Sequence, residues 1–231
     1  MEQENSEIIS ILTGEILLLD FLSKSLYVEP DEDWISTLFK ENLFDEVPFA
    51  YEQNETVEAL KVLTNWIDEN MLRSTQEIIK DLKYDYARLF IGLGKVLAPP
   101  WESVYFNVDH LVFQEQTLQV RDWYRRFNIE PVNLFKEPDD HIGLELSFLS
   151  YLTQKALDAH HSSNLAEFQN YIKAEKQFLA EHVLNWAPYW CTLVYENAQS
   201  GYYKGLGLLT LGCLLSLSSF YTVPISLEIM K

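Results

Sequence analysis

Glu137-Pro138-Asp139-Asp140-His141-Ile142-Gly143-Leu144-Glu145-Leu146-Ser147-Phe148-Leu149 sets three carboxylates, a proline and a histidine in five residues, then runs straight into an apolar helix. Pro138 halts any helix approaching from its N-terminal side, because its ring disfavours helical geometry in the residue before it. Asp139 or Asp140 is expected to cap the free N–H groups of the helix that follows. Pro131 extends the break upstream, so residues 128–140 read as a linker. The expected division is an N-terminal helical block, 1–130, and a C-terminal one, 131–231.

Helical spacing governs the chain on both sides of this break. Ile8, Ile9, Leu12, Ile16, Leu19 and Leu22 form one apolar stripe. Asp31, after Pro30, is a candidate N-cap for a second helix through Trp34, Leu38 and Phe39, and a third runs from near Asn54 to Ile67. Ser74 with Glu77 has capping-box spacing for a fourth, and Asn164 with Glu167 repeats the pattern later. Two glycines and two adjacent prolines break the chain between Phe90 and Trp101, and a helix is expected from about Phe113 to Phe127. Further helices are expected near 140–160, 165–183, 186–199 and 201–220. No run alternates as a half-buried strand does. The expected fold is all-α, a bundle of roughly nine or ten helices in two sub-blocks joined by the proline-containing linker.

Composition narrows the function. The 231 residues carry a formal charge of −18, which excludes a general nucleic-acid binder because that role needs a basic footprint. Residues 1–70 hold 17 acids against 3 bases, an imbalance that either keeps the protein soluble or draws something cationic. Cys191 and Cys213 lie far apart in apolar helical surroundings, which suits free thiols in a reducing compartment. Met1-Glu2-Gln3-Glu4 is acidic where a secretory signal is basic, so the cytoplasm is expected. Gly205 to Leu227 carries no charge but contains serines, glycines and Pro224, and reads as a buried core helix ending near Phe220, with no stable membrane insertion.

Several site chemistries compete. His141 and Glu145 share a helix face, with Asp140 or Glu137 to complete a metal set, but no second matched set exists on another helix. Gly92-Leu93-Gly94-Lys95 lacks phosphate-loop spacing and follows a helix. Ser103 and the cysteines have no adjacent base, so catalytic residues, metal and cofactor are all expected to be absent. Pro99-Pro100-Trp101 is a rigid loop whose indole either fills the core or walls an apolar peptide groove.

Four blocks resemble the TorD/DmsD family of redox-enzyme maturation chaperones, and the DmsD branch most closely. They are Tyr86-Ala87-Arg88-Leu89-Phe90-Ile91-Gly92, Leu97 to Tyr105, Glu137 to His141, and His182-Val183-Leu184-Asn185-Trp186. The resemblance implies an all-helical cytoplasmic protein without enzymatic activity. Its partners would be the twin-arginine leader peptide and the catalytic subunit of a molybdenum-cofactor reductase of the dimethyl-sulfoxide-reductase type. It would delay export until folding and cofactor insertion are complete. Carried over, the leader-binding residues are Leu89, Phe90, Pro100, Trp101, Tyr105, Pro138, Asp140 and His141. A monomer or a swapped dimer fits the family. Residues 1–70 show no alignable motif, and Asn185 stands where branch members can have proline.

The side chains suit such a ligand. Glu137, Asp139, Asp140 and the acidic N-terminal block can accept guanidinium groups, while the aromatic loop offers apolar surface. Exposed ion pairs contribute about 0.2–1 kcal/mol each, against about 1.5–3 for a buried leucine-sized side chain. Three buried leader side chains therefore approach the ~8 kcal/mol of a micromolar complex. Trp101→Ala is accordingly expected to harm binding more than Asp140→Asn. Two other readings are an adaptor that binds only folded reductase subunits and a metal-dependent enzyme using Asp140, His141 and Glu145.

Overall fold

The structure is a computed structural model that describes residues 2–92, 95–130 and 137–225. Its described residues form nine α-helices and no strand: α1 (Glu2–Tyr27), α2 (Glu32–Lys40), α3 (Asn54–Asn70), α4 (Thr75–Tyr86), α5 (Glu115–Arg126), α6 (Ile142–His161), α7 (Leu165–Glu181), α8 (Ala187–Asn197) and α9 (Gly201–Tyr221). The expected all-α class is the observed one. Pro131 and the rest of 131–136 in the expected linker, Leu93 and Gly94 of the glycine-containing break, and Leu227 lie outside the described residues.

Local signals set most helix starts. The Asp31 carboxylate accepts from Trp34 N at 2.8 Å, and Ser74 with Glu77 closes a reciprocal capping box. Asn164 accepts from Glu167 N at 3.3 Å. One cap departs from expectation. His141, not Asp139 or Asp140, is the N-cap of α6, its Nδ1 accepting from Gly143 N at 3.0 Å. Both aspartates are drawn away by partners elsewhere in the chain.

The tertiary core is made by helices distant in sequence. α1 lies along α6, α3 along α9, and α7 and α8 complete the packing against α6 and α9. Backbones approach closely at glycine: a Cβ on Gly143 would come within 2.6 Å of Tyr27 Cβ. That contact presses the end of α1 onto the start of α6. The helix α9 is long and apolar enough to cross a membrane by length and composition, yet 56% of its most apolar window is buried inside the protein. Leu206, Leu209, Leu214 and Leu217 all lie in the main core cluster, together with Leu22, Leu63 and Leu146.

This core also encloses a pair of carboxyls. Glu15 on α1 and Glu175 on α7 are fully buried, with Thr153 Oγ1 of α6 lying 3.0 Å from Glu15 Oε1 and 2.8 Å from Glu175 Oε1. Tyr221 donates to Glu175 Oε2 at 2.7 Å. Burial, then the charge of Glu175, pushes Glu15 well above the usual carboxylate range; burial also raises Glu175. Raised carboxyls hold protons in the folded chain that the unfolded chain releases above about pH 4.5, so their contribution to stability falls as pH rises. The melting temperature of Glu15→Gln should therefore decline less steeply between pH 5 and 9 than that of the parent. Parallel slopes in a thermal scan would show that Glu15 holds no extra proton in the folded chain over this range.

Candidate functional site

The loop after α4 begins with a widened helical turn. Residues Ala87–Ile91 wind as a π-helix, closed by Gly92 N donating to Ala87 O at 2.7 Å. Gly92 has φ 93, a conformation open to glycine and costly for other residues. The loop returns so that Ala98 N reaches Leu89 O, and the Trp190 indole donates to Ala98 O at 3.1 Å. Pro99, Pro100 and Trp101 then run extended against the 137–141 segment. Ile142 N donates to Pro100 O at 2.8 Å and Glu102 N to Asp140 O at 3.0 Å, with Trp101 and His141 paired as an antiparallel bridge.

Buried acids lock this junction from behind. Asp140 accepts from Ser103 N through Oδ2 and from Thr117 Oγ1 through Oδ1, both at 2.7 Å. Asp139 is bound by Arg121 Nε at 2.7 Å, and Tyr124 OH donates to its backbone carbonyl. Glu102 is hydrogen-bonded to His182 Nδ1 at 2.9 Å, and Glu145 accepts from Trp186 Nε1 at 3.1 Å. Burial and the neighbouring charge of Glu102 hold Glu145 well above the carboxylate range. The fourth sequence block, His182 to Trp186, thus supports the second block through Glu102 and the first turn of α6 through Glu145.

In front of the junction lies an open cleft of about 550 Å³, lined by Tyr27, Val28, Glu29, Tyr86, Phe90, Ile91, Pro100, Trp101, Glu137 and His141. Trp101 donates its Nε1–H to Glu137 Oε1 at 2.7 Å and meets the His141 ring edge-on at 6.1 Å. Burial raises the Glu137 carboxyl, partly countered by the Trp101 bond. Burial lowers His141 to about 3, so its ring is neutral and its Nδ1 can cap α6 at physiological pH. A second cleft, of about 450 Å³, also borders Trp101. Its walls are Lys95, Val96, Leu97, Pro99, Trp101, Val104, Tyr105, His110, Tyr189 and Leu193.

Of the expected site residues, Phe90, Pro100, Trp101, Glu137 and His141 meet in the first cleft. Tyr105 lines the second, stacked on Trp186 at 5.3 Å with its hydroxyl donating to Pro99 O. Leu89, Pro138 and Asp140 are buried and line neither. Asp139 and Asp140, expected to accept guanidinium groups of a ligand, are engaged inside the protein: Arg121 holds the first, and both oxygens of the second accept from Ser103 N and Thr117 Oγ1. The trio Asp140, His141 and Glu145 is divided among Ser103 and Thr117, Gly143, and Trp186, which leaves no common point for a metal. No group of three or more His, Cys, Asp or Glu side chains suited to a metal occurs among the described residues.

Sequence reading missed Tyr27, Val28 and Glu29. Val28 is half exposed, an apolar residue between a helix end and Pro30, and Glu29 is the acid of the N-terminal block that lines the cleft among the described residues. The only signal for them was that local composition.

The Tyr86–Gly92, Leu97–Tyr105 and Glu137–His141 segments of this all-helical chain thus converge on one cleft, and a family model described as nitrate reductase delta subunit matches residues 51–192. The chain belongs to that family. Chaperone protein TorD of Aliivibrio salmonicida is 29% identical to it over 75% of this chain and 84% of its own length. The Tat proofreading chaperone DmsD of Salmonella typhi is 26% identical, over 78% of this chain and 87% of its own. The resemblance to TorD and DmsD drawn from the four blocks thus holds across most of the chain.

Proposed function

We propose that this protein is a cytoplasmic chaperone without catalytic activity. It binds the twin-arginine signal peptide of a molybdenum-cofactor oxidoreductase of the dimethyl-sulfoxide-reductase type and delays export until the subunit is folded and loaded. The observation that carries this reading is the cleft beside Trp101, where a fixed indole and two carboxylates, Glu29 and Glu137, stand together. Such a leader has two adjacent cations followed by an apolar stretch, and the cleft offers a match to each. The names of TorD and DmsD relatives support the same role.

Exposed carboxylates give little affinity in water, so the cations contribute mainly to on-rate and selection, and apolar burial to affinity. Calorimetric titration with a leader peptide from a catalytic subunit of this reductase type tests the reading. A control peptide keeps the arginines and replaces the apolar stretch by polar residues. Binding at micromolar concentration or tighter, abolished in the control, is the expected result. Failure to bind leaders from several such reductases, with capture of a folded catalytic subunit, would make the protein an adaptor instead.

A further inference from the structure

Trp101 borders two clefts of unlike chemistry. The backbone is extended here, with φ −120 and ψ 130 at Trp101, so successive residues face opposite ways. Pro100 lines the first cleft and Pro99 the second, and Trp101 borders both. Glu29 and Glu137 line the first, whose wall has no lysine or arginine among the described residues. Lys83 reaches Glu29 at 3.5 Å from outside, an ion pair with both side chains nearly half exposed, which a guanidinium can replace at small cost. Among the described residues no carboxylate lines the second cleft, whose walls include Val96, Leu97, Val104 and Leu193, with Lys95 beside them.

The apolar character does not stop at the second cleft. Downstream of Tyr105, the loop exposes Phe106, Val108, Leu111 and Phe113. It is held in that posture by its own hydrogen bonds: Asn107 accepts from Leu111 N at 2.8 Å and donates to Ser103 O at 2.6 Å, and His110 Nδ1 lies 2.9 Å from Val104 O. A hydrogen-bonded loop that keeps several large apolar side chains in water is the usual mark of a contact surface.

The geometry points to a single extended peptide crossing Trp101, with its cationic pair beside Glu29 and Glu137 and its following apolar stretch in the second cleft, continuing toward Phe106 to Phe113. This deepens the leader-binding reading and rests on it. It gives the ligand a direction. An extended chain advances about 3.3 Å per residue, so two or three residues suffice to pass the indole. Lys95 beside the apolar cleft disfavours the reverse orientation by repelling the arginines.

Photo-crosslinking of the full-length protein tests the direction. One leader peptide carries a benzophenone side chain just before its arginine pair, and another carries it in the middle of the apolar stretch. Both are first shown by titration to bind, because failure at that step would count against leader binding itself. The expected map places the first probe on Tyr27 to Glu29 or Ile91, and the second on Val96, Tyr189, Leu193 or the 106–113 loop. Both probes on one cleft, a reversed map, or cross-links at neither cleft would overturn the two-cleft path while leaving leader binding in place. Filling the second cleft with Leu193→Trp should also weaken the unmodified leader roughly tenfold, the effect of excluding one sizeable apolar side chain. If Leu193→Trp lowers the melting temperature sharply, Val96→Ser replaces it in the same titration. Unchanged affinity in the folded variant would again overturn the proposal.

Discussion

Replacing Trp101 with alanine is expected to weaken the leader complex by about 2–4 kcal/mol, roughly 30- to 900-fold. The indole borders both clefts, so its removal erases a shared wall. It is also fixed before any ligand arrives, by the Glu137 hydrogen bond and the backbone pairing with His141. A preset ring loses little freedom on binding, which is the reason rigid aromatic anchors dominate interface energies. The backbone bonds around it do not use the side chain, so the variant should melt within a few degrees of the parent. Trp101→Phe should fall between the two, keeping a ring but losing the bond to Glu137. Affinity of Trp101→Ala within threefold of the parent would remove the indole from the recognition mechanism.

Asp140→Ala has the opposite signature, a stability loss without a direct loss of ligand contact. The carboxylate is buried, and its removal leaves Ser103 N and the Thr117 hydroxyl without their acceptor. Each stranded buried donor costs about 1–3 kcal/mol, so the variant should lose about 2–6 kcal/mol. In a chain of this size that lowers the melting temperature by roughly 5–20 °C. Asp140→Asn keeps one acceptor and the side-chain shape, and should lose less. Leader affinity measured well below the melting transition should stay within a few-fold in both. A melting temperature unchanged in Asp140→Ala would show that the tie to Ser103 and Thr117 is dispensable. The expectation that Trp101→Ala harms binding more than Asp140→Asn thus gains a structural reason: the one contacts the cleft, and the other supports it from inside.

What could be read from sequence was what local chemistry decides. Asp31, Ser74 and Asn164 cap helices through bonds spanning three residues, and a sequence window contains both partners. The cap of α6 could not be read that way. Asp140 is claimed by groups 37 and 23 residues earlier in the chain, and His141 takes the vacated role. The π-turn at Ala87–Ile91 likewise depends on packing, because the return of Ala98 to Leu89 O lies outside any helical pattern. In the cleft, Phe90, Pro100, Trp101, Glu137 and His141 were legible because they fall in motif blocks. Tyr27 and Glu29 were not. Seventeen acids crowd the first 70 residues, and it is the fold, with Tyr27 at the end of α1 seated against Gly143, that brings Glu29 to the cleft.

The pairing of α1 with α6 has a consequence for the protein's own synthesis. The first cleft takes its walls from Tyr27 to Glu29, from Tyr86, Phe90, Ile91, Pro100 and Trp101, and from Glu137 and His141. A ribosome-bound chain ending before residue 137 therefore has Glu29 but neither Glu137 nor His141, and its first helix lacks the helix it packs along. Contacts separated by more than a hundred residues also form late, since the intervening loop must be closed first. In the proposed leader-binding role, a product truncated before residue 137 has no assembled cleft for a leader, and client binding is expected only in the later part of translation. In that role the wide spacing of the three segments would act as a check on the protein's own integrity before it holds another.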